Sequence, residues 1–115
     1  MDPVFNNSVP IYLQIVSEIK KQIVSGKLIP GERIPSVREL ALTYKVNPNT
    51  MQKALIELEE NGLIKTERTN GKFVTEDKNI INKIKNDYAD NLTQNYLSEM
   101  ISLGITKQEI KERIK

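Results

Sequence analysis

At 115 residues, 38% apolar and 28% charged, the chain has room for one compact domain and a small appendage, and its composition is that of a folded protein rather than a disordered one. It contains no cysteine and no histidine, which excludes disulfides, thiolate metal centres and the commonest general base. The net charge of +2 divides as ten cationic against eight acidic side chains over residues 1–75 and seven of each over 76–115, so any affinity for nucleic acid must come from local placement of charge.

No apolar run approaches the roughly 20 residues needed to span a bilayer, so no membrane partner is expected. The opening "MDPVFNNSVP" lacks both the basic and the apolar region of a secretory signal, and the expected compartment is the cytoplasm. There is no Gly-rich phosphate loop and no G-x-S-x-G. Catalysis would rest on carboxylates and lysines alone, so neither an enzyme, a cofactor nor a metal is expected.

In chain order, "PIYLQIVSEIKKQIVS" (10–25) places Tyr12, Ile15, Val16, Ile19 and Ile23 at helical spacing, with Pro10 suited to the first turn and Gly26 to the position past the end. "KLIPGERIP" (27–35) reads as a turn built on Pro30-Gly31 and anchored by Leu28 and Ile34. Ser36 followed by Glu39 is a capping box opening a short second helix whose inner face is Val37, Leu40, Ala41 and Tyr44. A third helix follows after about three residues. Asn47 can cap it and Pro48 can occupy its first position, where a missing N–H is harmless. Met51, Ala54, Leu55 and Leu58 share its inner face. At about 100° per residue, Asn49, Gln52, Lys53, Ile56 and Glu60 fall on the outer one.

"LIKTE" (63–67) and "KFVT" (72–75) predict two short strands joined by a four-residue loop, "RTNG". A long helix is predicted from about Asp77, with Ile81, Ile84, Tyr88, Leu92, Tyr96, Met100 and Leu103 recurring every three or four residues up to Gly104. Thr106 and Glu109 form a second capping box, with Ile105 and Ile110 at staple positions, so a last helix should turn Ile110 and Ile114 inward.

The order helix, helix, tight turn, helix, hairpin is that of a helix-turn-helix with a β-wing. The fold class expected is mainly α with a small β-hairpin: a winged helix-turn-helix over residues 1–75, then a two-helix tail over 76–115. An α-helix fits the major groove, and its N-terminal turn can reach base edges. The tail is too short to enclose a sizeable effector cavity. Its apolar stripe, Ile81, Ile84, Tyr88, Leu92, Tyr96, Met100 and Leu103 together with Ile110, is expected to bury itself against a second copy of the chain.

The stretch "PGERIPSVRELALTYKVNPNTMQKALIELEENGLIKTERTNGKFV" resembles the winged helix-turn-helix of the GntR family of bacterial transcriptional regulators. The matching elements are Pro35-Ser36, Arg38, Leu40-Ala41, Val46, Thr50, Ala54-Leu55, Leu58, Gly62-Leu63-Ile64 and Gly71 with Phe73-Val74. "VNPNT" and "PIYLQI" are similar to the short YtrA-like branch. The resemblance implies a DNA-binding role for Arg38, for Asn47, Asn49, Thr50 and Gln52 at the start of the recognition helix, and for the wing from Arg68 through Asn70 and Gly71 to Lys72, with Ser36 at the matching helix start. It also implies control of a nearby operon, often one for a membrane transporter. Many relatives carry arginine where this chain has Pro48 and Gln52, and glycine where it has Thr69.

Asn49 and Gln52 carry amides of the type that bind adenine in the major groove. Lys53, Arg68 and Lys72 are candidate phosphate contacts, and Ile56 could touch a thymine methyl. Glu57, Glu59 and Glu60 would be repelled by phosphates, so only the N-terminal half of the third helix should enter the groove. The expected partner is double-stranded operator DNA bound by a homodimer. The alternative is a winged-helix module that docks on proteins, which would call for an apolar outer face on the third helix.

Overall fold

The computed structural model describes residues 8–114, and the leader reading of the first seven residues lies outside them. Five helices and one hairpin follow in the order α1 (Ile11–Val24), α2 (Val37–Tyr44), α3 (Pro48–Glu60), β1 (Ile64–Glu67), β2 (Gly71–Val74), α4 (Lys78–Ser102) and α5 (Lys107–Arg113). The chain divides into two compact units, the first running to Asn82 and the second from Lys83.

The first unit is organised around α3, which packs against α1, α2 and β1. Ile15, Val16, Ile19 and Ile23 of α1 are buried, as are Met51, Ala54, Leu55 and Leu58 of α3. They lie three or four residues apart, so each helix turns one apolar stripe inward. Met51, Leu55 and Leu58 are fully enclosed, and burying each contributes about 1.5–3 kcal/mol. The core continues through Ile34, Ala41, Leu63, Ile64 and Val74.

The hairpin is antiparallel, pairing Ile64 with Val74 and Glu67 with Gly71. Its loop is one residue shorter than expected. The Asn70 N–H donates to Glu67 O at 3.2 Å, closing a turn over Arg68 and Thr69. Gly71 then begins β2 at φ 102°, a left-handed backbone that glycine adopts without steric cost.

The segment read as a plain turn is also part of the sheet. Ile34 N–H donates to Lys72 O at 2.9 Å and Val74 N–H donates to Glu32 O at 2.8 Å, with Arg33 bridging Phe73. β2 is therefore hydrogen-bonded along both edges. That offsets the marginal stability of a two-stranded ribbon standing alone.

The first unit runs past the hairpin to Asn82. Thr75 is buried, its N–H bonded to Leu63 O and its hydroxyl oxygen accepting from Asp77 N–H. Asp77 caps α4 by accepting from Asn79 and Ile80 N–H, and Ile81 is buried. Ile80 lies 3.4 Å from where a Cβ on Gly62 would stand, so the first turn of α4 closes over the end of α3.

In the second unit, Ile84, Tyr88 and Met100 are half-buried, whereas Leu92, Tyr96 and Leu103 are exposed. Ile81 and Ile110 are buried within the chain itself and add no free area for a partner. α5 opens with the expected capping box of Thr106 and Glu109. The hydrogen bonds from the Thr106 N–H and hydroxyl hold the exposed Glu109 carboxyl below its usual range, helped by the charge of Arg113. Ile114 does not turn inward: α5 stops at Arg113, and Ile114 is 68% exposed beyond it.

Candidate nucleic-acid interface

Three pieces of the first unit carry the expected DNA-binding residues. The first is the start of α2. Ser36 Oγ accepts from Glu39 N–H at 3.1 Å while the Glu39 carboxylate accepts from Ser36 N–H at 3.3 Å. This reciprocal cap fixes where the helix begins and leaves Arg38 exposed in its first turn. Ser36 itself is committed to the cap. On the opposite side of α2, Tyr44 accepts a 3.5 Å hydrogen bond from Gln22 of α1, tying the two helices together. Burial, with the nearby negative charge of Glu18, pushes the Tyr44 phenol up despite that bond.

The second piece is the turn into α3. Val46 N–H reaches back to Ala41 O at 3.0 Å and Lys45 N–H to Leu42 O at 3.3 Å, closing the end of α2. This Schellman arrangement requires a left-handed residue, and Lys45 supplies it at φ 58° where a glycine is usual. A non-glycine residue there costs about 1–2 kcal/mol. Asn47 then caps α3, its side-chain oxygen accepting from Asn49 N–H at 2.7 Å, and Pro48 takes the first helical position. Asn47, Asn49, Gln52 and Lys53 are exposed and Thr50 is half-buried. The Asn49 side chain stands on a helix N-terminus whose amides favour an anion.

The third piece is the wing. Arg68, Thr69 and Asn70 form its exposed tip, with the Asn70 amide 3.4 Å from Glu67 Oε2. Gly71 lies beneath the Arg33 guanidinium, and a Cβ there would come within 3.2 Å of Arg33 Nε.

Two expected phosphate contacts have partners inside the protein. Lys53 Nζ sits 4.1 Å from the centre of the Tyr12 ring, a cation–π contact that leans it toward α1. Lys72 is paired with Glu59 of α3, and its ammonium also lies 2.8 Å from Thr66 Oγ1. Burial pushes the Glu59 carboxyl up, but hydrogen bonds from Lys72 and Thr66 and the Lys72 charge together hold it below its ordinary range. Glu60 is exposed and Glu57 half-buried at the same end of α3. Ile56 is exposed, as its place on the outer face requires.

Sequence reasoning did not find the bridge at Arg33, the contact of Lys53 with Tyr12 or the partners of Lys72. No local signal marks the first: in "PGERIP" two charged residues precede a single apolar one, without the alternation of a strand. No group of acidic side chains among the described residues is arranged to hold a metal ion.

This geometry defines a winged helix-turn-helix protein. Residues 11–74 match the family described as bacterial regulatory proteins, gntR family, and the chain belongs to that family, whose members are transcriptional regulators rather than enzymes. It is 41% identical over 115 residues to the uncharacterised HTH-type transcriptional regulator YhcF of Bacillus subtilis strain 168, covering all of this chain and 95% of that protein. It is 45% identical over 76 residues to the transcriptional repressor YtrA of the same organism, covering 66% of this chain and 57% of YtrA.

Among solved structures, a GntR family transcriptional regulator from Listeria monocytogenes superposes with a TM-score of 0.91 at 48% identity, covering 96% of each chain. The DNA-binding domain of AraR, solved in complex with operator ORX1, superposes with a TM-score of 0.59 at 31% identity, covering 63% of this chain and 93% of that one.

Proposed function

We propose that the chain is a sequence-specific DNA-binding repressor that binds a pseudo-palindromic operator as a homodimer. The observation that carries this reading is the outer face of α3. A capped, proline-started first turn presents Asn49, Thr50 and Gln52, the capped start of α2 leaves Arg38 exposed, and the far end of α3 carries Glu57, Glu59 and Glu60. A helix so divided enters a groove by its N-terminal half, where amides read base edges and the helix N-terminus meets phosphate. The AraR domain bound to operator and the YtrA repressor support the same reading.

In this account Asn49 and Gln52 read A·T base pairs, Arg38 and Arg68 contact phosphate, and the wing tip lies along the flanking minor groove. Leu92, Tyr96 and Leu103, flanked by Ile84, Tyr88 and Met100, form the dimer contact of residues 83–114. Two-fold symmetry then sets half-sites about one helical turn apart, or a multiple of that. No helix among the described residues is long and apolar enough to cross a membrane, and the protein would act in the cytoplasm beside its DNA.

Titration of a duplex drawn from upstream of the protein's own gene tests the reading. Specific binding whose affinity falls steeply as salt rises is expected. No binding to that duplex, even at low salt, would sink it.

A further inference from the structure

Lys72 is the expected DNA contact whose surroundings fit DNA least. Thr66 and Lys72 are direct partners across the hairpin, so both side chains stand on one face of the wing's base. That face meets the last turn of α3. Thr66 Oγ1 donates to Glu59 Oε1 at 2.6 Å and accepts from Lys72 Nζ at 2.8 Å, while Lys72 Nζ also binds Glu59. The hydroxyl is thus used once as donor and once as acceptor.

The Lys72 side chain is only 16% exposed and that of Glu59 30%. Pulling Lys72 outward would leave Glu59 partly covered and without its cation, which is unfavourable. Asn49 and Glu59 are ten residues apart on one helix, about 15 Å along its axis. Lys72 therefore sits at the end of α3 that carries Glu57 and Glu60, far from the turn that faces DNA.

We propose that Lys72 is a positioning residue and not a phosphate contact: with Glu59 and Thr66 it straps the base of the wing to the last turn of α3. The strap sets where the wing tip, with Arg68, stands relative to the N-terminal turn of the same helix. This rests on the DNA-binding reading above, because its consequence is the joint engagement of helix and wing on one duplex.

The test compares operator affinity across a salt series for the full chain and for Lys72→Met, Glu59→Gln, Arg68→Ala and the swap Glu59→Lys with Lys72→Glu, all at a temperature where circular dichroism shows them folded. Lys72→Met and Glu59→Gln should each weaken operator binding about tenfold, the equivalent of one hydrogen bond to a charged group, with no change in salt slope. Arg68→Ala should reduce the slope by about 0.9, the value for one phosphate contact on duplex DNA. The swap should recover most of the affinity; should Lys72→Met fail to fold, Glu59→Gln carries the test, because it breaks the pair while leaving Lys72 free to reach phosphate.

A slope reduced by about 0.9 in Lys72→Met overturns the strap and restores Lys72 as a phosphate contact. Unchanged affinity in Glu59→Gln overturns it as well. If the unaltered chain binds no duplex, the DNA-binding reading fails and the strap's role falls with it, an outcome distinct from the other two.

Discussion

Asn49→Ala separates a reading residue from a structural one. Asn49 occupies the second position of α3, and its side chain is exposed. What ties the helix start down is the Asn49 backbone N–H, bonded to the Asn47 side chain at 2.7 Å, and alanine keeps that N–H. Alanine also suits a helix better than asparagine. The substitution should therefore shift stability by less than about 0.5 kcal/mol, as for other surface changes that leave caps and core intact. A bidentate amide–adenine pair is worth about 1–3 kcal/mol of discrimination, or roughly 5- to 150-fold in affinity. Fluorescence anisotropy with the operator duplex, a set of single-base variants and a random duplex reads the difference. The operator should lose affinity by that factor, preference should relax at one base pair, and the random duplex should be nearly unaffected. An equal loss on random DNA, or a drop in thermal midpoint that accounts for the loss, would refute the reasoning.

Asn47→Ala should act on the fold instead, removing the acceptor from the first turn of α3. A lost N-cap costs about 1 kcal/mol, and a Tm lower by about 4–8 °C should appear in a thermal melt. Leu92, 56% exposed near the middle of α4, is the centre of the proposed dimer contact, so Leu92→Asp should give monomers by sedimentation with weakened operator affinity; an unchanged dimer would rule out this face. Glu59 has a folded-state pKa below its ordinary value, so its contribution to stability is present above about pH 4.3 and is lost as pH falls further, through the lower folded value. The Tm of Glu59→Gln should accordingly decline less steeply than that of the unaltered chain as pH is lowered below about 4.3.

Local signals were legible because they depend on neighbours in sequence. Both capping boxes, the Asn47 cap, the Pro48 start and the three-residue turn each need only a few adjacent residues, and all stand in the structure as read. Buried stripes on α1 and α3 followed from helical period alone. What escaped was long-range pairing. Glu32 and Val74 are far apart in the chain, and no local propensity marks Arg33 as the bridging partner of Phe73. The same holds for side chains that could face outward or inward. Lys72 and Lys53 look like any surface cations, and only the packing of the wing on α3 and of α3 on α1 brings Glu59 and Tyr12 to them. The tail shows a further limit. A periodic stripe names the apolar residues, but its members differ in the folded chain, from buried Ile81 and Ile110 to exposed Leu92 and Leu103.

The central claim is that DNA meets the N-terminal turn of α3, the start of α2 and the wing tip. Backbone amide shifts, followed by nuclear magnetic resonance as the operator duplex is added to the full chain, map that surface directly. The account predicts shifts concentrated at Asn47 to Lys53, Ser36 to Arg38 and Arg68 to Gly71, with Glu57 and Glu60 little changed. Shifts that leave Asn47 to Lys53 untouched and gather elsewhere on the chain would contradict it.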